Sequence, residues 1–352
     1  MSEITEPRAE AAVPGGPART GGERPPWLEA LRRGGTFLIQ QREASVFVVL
    51  VALVIYFWLS APDFGTKLNF INLTQGIGSA YAIVAIGEVL LLVCGEIDLS
   101  VGFIWALAPF LMHYFIDFYG IPVPLAILFA WACGAGIGLI NGLIRVVLNV
   151  PSFIGTLGMS FLLYGLMLVT SNAEAAAIPP RATGFFQEYF GAYAWSEIIW
   201  AVVLVAIFHT VLTRTRWGLY TIAVGGNFTG AAESGINAGK IKIGNFMITG
   251  WLGAVAGIME AFRNNTIDPS AGGYTPMFYA VAAAVIGGTA LAGGSGTVLG
   301  ALLGMLVLAT LTDGFNLKGI SADPFNIILG IAIIAAMVAN VYLTRLRRAG
   351  RT

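Results

Sequence analysis

Apolar residues run through this chain in long blocks, and polar residues are confined to short breaks between them. A helix needs about 20 apolar residues to cross the hydrocarbon layer of a bilayer. Blocks near that length occupy residues 44–61, 70–94, 99–116, 122–144, 152–171, 197–212, 243–262, 277–291, 297–312 and 324–343. The predicted fold class is therefore an all-α polytopic membrane protein with about ten transmembrane helices. The third, eighth and ninth blocks are short or glycine-rich and read as interrupted helices near the centre, so nine or eleven crossings stay open. Repeated small residues, as in Gly134-Ala135-Gly136-Ile137-Gly138, let helix backbones approach closely in lipid.

Lysine and arginine placement orients the chain, because cytosolic segments are enriched in them. If the chain starts inside, fifteen fall on the inner side, among them Arg145, Arg214, Arg216, Lys240 and Lys242; only Lys67, Arg181, Arg263 and Lys318 fall outside. The split predicts both termini in the cytosol. Residues 1–43 are rich in Pro, Gly, Ala, Glu and Arg; such a composition buries too little to order itself, and the segment reads as a disordered cytosolic tail. It lacks the pattern of a cleaved secretory signal, so the first block is expected to stay in the mature protein. Residues 44–343 form the membrane domain, and 344–352 a second cytosolic tail.

Composition agrees. The chain is 57% hydrophobic and 11% charged, against about 25% charged for soluble domains. A net charge of zero gives no reason to expect a nucleic-acid partner. Cys94 and Cys133 lie in apolar blocks and read as packing residues, while His113 and His209 stand alone at block ends without a second ligand at metal spacing. Neither a metal nor another cofactor is expected.

Carboxylates inside such a chain require a reason. Placing one at the bilayer centre costs at least ~2.5 kcal/mol, so acids at that depth line a water-filled path or a broken helix. Asp98 and Glu96 sit in Gly95-Glu96-Ile97-Asp98-Leu99-Ser100-Val101-Gly102, where the glycines permit backbone that a helix interior resists. The alternative is a short interfacial turn. Asn72, Glu88, Glu96, Asp98, Ser100 and Asn141 are the candidate pathway residues, and acceptors of this kind suit a hydroxyl-rich ligand. The rival reading for Glu88 and Glu96 is that they bond to neighbouring helices, and for Glu88 it is equally good. A faint repeat aligns Tyr81-Ala82, Ala85, Gly95 and Gly102 with Tyr279-Ala280, Ala283, Gly293 and Gly300, in keeping with transporters built from related halves.

The longest inner loop, 213–242, contains Asn227 through Gly235, a short helix with an N-cap residue at its start and a glycine stop at its end. A helix this short needs a surface to lie against.

The segment Gly95 to Gly102, the loop Gly225 to Ile236, and Gly287-Gly288-Thr289-Ala290-Leu291-Ala292-Gly293-Gly294-Ser295-Gly296 together resemble the membrane permease subunits of ATP-binding-cassette importers for ribose, xylose, arabinose and related sugars. The resemblance covers residues 44–343 in the same order; the first motif usually has a second glycine where this chain has Glu96. It implies a paired permease, with a homodimer expected, in a bacterial inner membrane. Separate cytosolic ATP-binding subunits would drive it, and an extracytoplasmic binding protein would deliver the sugar or polyol. Asn227, Ala231, Ala232, Glu233, Ser234 and Gly235 then look like the coupling helix that meets the ATPase. The outer-side residues Glu174, Arg181, Glu188, Arg263 and Asp268 form a candidate docking rim.

The chain itself is not expected to be an enzyme. Gly235 to Ile241 falls one residue short of a phosphate loop and lacks its Ser or Thr, and Gly294 to Gly300 misses dinucleotide spacing. The competing class is a proton-coupled secondary transporter acting alone through Glu88, Glu96 or Asp98.

Overall fold

The computed structural model describes residues 42–320 apart from Ala194, with scattered positions between 327 and 338. The predicted tails, except for residues 42 and 43, and nearly all of the tenth block lie outside the described residues.

Among these residues seven helices are long and apolar enough to cross a membrane, and two shorter apolar helices accompany them. Each of the first nine blocks falls on a helix. The α-helices of six or more residues are α1 (Arg42–Ser60), α2 (Lys67–Gln75), α3 (Tyr81–Val93), α4 (Val101–Asp117), α5 (Val123–Val146), α6 (Ser152–Ser171), α7 (Ser196–Arg214), α8 (Arg216–Gly226), α9 (Phe228–Glu233), α10 (Ala238–Asn264), α11 (Tyr274–Ile286) and α12 (Val298–Leu317). α2 and α3 make one continuous span through a π-helical turn, Gly76–Ala80, where Ser79 Oγ donates to the Thr74 carbonyl.

The 213–242 segment is more ordered than the single short helix predicted from sequence. Its helices are α8 and α9, and α10 begins at Ala238, inside the expected loop. Thr215 separates α7 from α8 by adopting extended backbone, and its hydroxyl caps the new helix by accepting from Gly218 N at 3.4 Å. A single break residue thus bends the chain where polarity alone suggested irregular structure.

Burial divides the helices into a centre and a rim. Every residue of α3 after Tyr81 is buried, and α10 is mostly buried, whereas α1, α5, α6 and α7 keep large apolar side chains such as Leu59, Phe129, Phe161 and Val202 exposed. A helix apolar on all sides belongs in a core or in lipid, and these four rim helices present the lipid-facing kind of surface. α10 packs along α5, α4 and α3, while α11 and α12 pack on each other and on α3.

Small residues set the tightest of these contacts. Gly134, Gly138 and Gly142 recur every four residues on α5 and so share one face. A Cβ on Gly138 would overlap the Phe246 carbonyl, and one on Gly134 would lie 2.6 Å from both Gly250 O and Ala254 Cβ. On the opposite pole, the two-residue strands β1 (Ala176–Ala177) and β2 (Thr266–Ile267) pair antiparallel and tie the two long loops 172–195 and 265–273 together.

Candidate functional site

α10 serves as a ruler for the segment between α3 and α4. Lys242 pairs with Glu96, Thr249 touches Gly87, Gly253 touches Val101, and Gly257 touches Trp105. Gly253 lies near the middle of α10. The non-helical stretch 94–100 therefore runs beside α10 from Lys242 to Gly253, about 16 Å at the helical rise of ~1.5 Å per residue, and α4 starts halfway along its neighbour.

Local chemistry explains this path. α3 ends in a Schellman arrangement: Gly95 takes φ +79°, Glu96 N donates to Leu91 O at 2.9 Å, and Gly95 N donates to Leu92 O at 3.0 Å. Beyond it the backbone cannot use water and must find protein partners. α6 supplies two, since Leu99 N donates to Thr156 Oγ1 at 3.0 Å and Ile97 N to Ser152 Oγ at 3.4 Å.

The structure brings three predicted pathway residues together at the end of this stretch. Asp98 Oδ1 accepts from Ser100 N at 2.8 Å and Ser100 Oγ at 2.6 Å, and Asn141 Nδ2 on α5 donates to Asp98 Oδ2 at 3.2 Å and Ser100 Oγ at 2.8 Å. All three are buried. Glu88 on α3 is fully buried nearby, and its carboxyl oxygens have no hydrogen-bond partner among the described residues. Asn72 lies apart, exposed on α2.

Glu96, at the other end of the stretch, bonds to neighbouring helices, its alternative reading, through two cations that the sequence did not identify as partners. Arg145 Nε on α5 donates to Glu96 Oε1 at 2.8 Å, and Lys242 Nζ on α10 donates to the same oxygen. In sequence those cations served only to orient the chain. The Phe228 ring of α9 lies 5.3 Å from the Lys242 ammonium. Gly95, Arg145, Gly225, Phe228 and Lys242 line a cleft of about 400 Å³ there.

α9 matches its residue types. Asn227 Oδ1 accepts from Gly230 N at 3.0 Å, Ser234 Oγ donates to Gly230 O at 2.8 Å, and Gly235 leaves the helix at φ +80°. Ala231 is buried against Cys94, Val224 and Ile241, whereas Ala232 and Glu233 are exposed. The Gly-rich loop 287–297 closes the same junction, with Gly294 N donating to Val93 O at 2.8 Å.

The aligned repeat has a structural counterpart. In both copies a 13-residue helix leads through a left-handed glycine, Gly95 or Gly293, into the helix that carries Gly102 or Gly300. Tyr81 and Tyr279 meet edge to face with centroids 5.4 Å apart.

Among the rim residues, Glu174, Arg181 and Glu188 are exposed. Arg263 is partly buried; it binds Glu260 within α10 and approaches Glu197 Oε1 of α7 at 3.6 Å. Asp268 folds its carboxylate onto Ser270 N at 2.8 Å. Glu197 and Glu260 were not singled out in sequence, because an acid at a block end looks like any interfacial charge.

Residues 69–337 match the family described as branched-chain amino acid transport system / permease component. The ribose import permease protein RbsC of Escherichia coli is 36% identical over 318 residues, covering 86% of this chain and 94% of that one. The xylose/arabinose import permease protein XylH of Sulfolobus acidocaldarius is 34% identical over 319 residues, covering 88% and 87%. The galactose/methyl galactoside import permease protein MglC of Haemophilus influenzae is 32% identical over 332 residues, covering 89% and 98%. No solved structure matches. The chain belongs to the permease components of the branched-chain amino acid transport system family.

Proposed function

We propose that the chain is one half of a paired permease in an ATP-driven importer, carrying a sugar or polyol inward across a bacterial inner membrane with both termini in the cytosol. The junction at α9 carries this reading. A short capped helix with an exposed Glu233 face rests where α3 ends and α10 begins, and Gly225 and Gly226 just before it meet the 287–297 loop, so a push on α9 reaches the ends of both helices. Two separate ATP-binding subunits would supply that push, and a rigid element with two positions transmits it. An extracytoplasmic binding protein would dock against the rim of Glu174, Arg181 and Glu188. The names of the relatives, all import permeases for sugars, support the cargo class. Asp98, Ser100 and Asn141 supply the polar groups at the depth where such a cargo would pass, and Glu88 adds an unpaired carboxyl beside them.

Reconstitution tests the proposal. Proteoliposomes holding the permease with its ATPase and binding protein should accumulate labelled pentose or hexose only with ATP, and the permease alone should accumulate none. Ionophore-sensitive accumulation by the lone chain would select the proton-coupled reading instead. Glu233→Arg should insert normally and lower transport-stimulated ATP hydrolysis; undiminished stimulation would remove α9 from the coupling role.

A further inference from the structure

Glu96 holds a charge that cannot be left alone. It is 5% exposed, sits on irregular backbone, and meets its two cations through one oxygen, Oε1. Removing a partner from a buried ion pair leaves an uncompensated charge and is strongly unfavourable. The carboxylate must therefore follow Lys242 and Arg145 when either moves. The Lys242 ammonium in turn lies 5.3 Å from the Phe228 ring centroid, a cation–π contact, and Phe228 is the first residue of α9. In the other direction, Glu96 lies two residues before Asp98, whose bonds to Ser100 and Asn141 set where α4 begins. The residues on either side of Asp98, Ile97 and Leu99, are anchored by their main-chain N–H groups to the Ser152 and Thr156 hydroxyls of α6, so the stretch moves as a strut and not as a slack loop.

We propose that Glu96 is a positioning residue that transmits displacement of α9 to the start of α4, by way of the Phe228 ring, the Lys242 ammonium and the stretch Glu96–Ser100. The inference rests on the reading of α9 as the helix that meets the ATPase. Ala231 gives α9 a second, apolar attachment through the buried cluster that includes Cys94, Val224 and Ile241, so the test leaves that cluster intact.

The assay is sugar transported per ATP hydrolysed by the reconstituted complex with its ATPase and binding protein. Phe228→Leu removes a ring from an exposed position (56% exposed) and keeps apolar bulk; Glu96→Gln removes the charge and keeps the shape. Each should lower the ratio by roughly threefold to tenfold, with membrane yield and melting temperature of Phe228→Leu unchanged. The double variant should be no worse than the poorer single one, because both cut the same chain of contacts. A wild-type ratio in Phe228→Leu overturns the relay even if Glu96→Gln fails to fold, and so do two defects that multiply in the double variant. Glu233→Arg in the same assay separates the two readings. Uncoupling by Glu233→Arg alone sinks the relay and leaves α9 as the coupling helix, whereas a wild-type ratio in Glu233→Arg removes the coupling helix itself.

Discussion

Asp98 receives four hydrogen bonds from Ser100 and Asn141, and each comes from a donor with no water to turn to instead. Asp98→Asn keeps an acceptor for Ser100 but sets its own amide N–H groups against those of Asn141. The expected loss is about 1–3 kcal/mol, the cost of buried donors left unmatched, with uptake reduced. Exchanging the pair, Asp98→Asn with Asn141→Asp, restores a donor facing an acceptor and should recover part of the melting temperature in detergent. An exchange as unstable as the single variant would mean that charge position, and not hydrogen-bond polarity, sets the site. Arg263 poses a related problem at the opposite pole, where Glu197 is fully buried and its nearest compensating charge is the guanidinium at 3.6 Å. Arg263→Met should destabilise the protein by roughly 3 kcal/mol, read in the same melt. Sequence marked Asp98, Ser100 and Asn141 as polar groups at depth, yet it gave no sign that they bond to one another. Glu96 was read beside them, although its carboxylate belongs to a different cluster near α9.

Helices were the most legible elements, because a run of apolar residues needs no partner to be recognised. Caps were legible too: Asn227 and Gly235 bound α9 through interactions spanning three or four residues. Packing faces were not. Gly134, Gly136 and Gly138 look equivalent in sequence, but a Cβ on Gly138 would overlap α10 and one on Gly136 meets nothing within 4 Å. Gly138→Leu is therefore expected to cost at least about 1–3 kcal/mol through overpacking and to lower the yield of folded protein, while Gly136→Leu leaves both the melt and the yield near wild type. Equal behaviour of the two variants would argue against the α5–α10 contact. Residues 216–226 were missed as a helix because α8 is short and flanked by arginine and glycine, which read as a loop until Thr215 is seen to cap it.

Across the whole chain, the uneven placement of cations predicts an orientation that labelling can test. With Cys94 and Cys133 replaced by serine, a cysteine at exposed Glu174 should react with an impermeant maleimide on intact cells, and one at exposed Glu233 only after permeabilisation. The reverse pattern would invert the topology and place α9 beyond reach of ATP. The helical membrane architecture was readable beforehand because hydropathy acts on each segment separately, and bilayer thickness sets block length. Lateral pairing has no such local signature. Glu96 and Lys242 are 146 residues apart, Glu96 and Arg145 are 49 apart, and any of nineteen cations could have served on residue type alone. Hydrophobicity therefore marks the apolar helices one segment at a time, whereas the meeting of α3, α5, α9 and α10 around one buried carboxylate arises only when the chain folds, because burial makes an unpaired charge too costly and only a few partners come within reach.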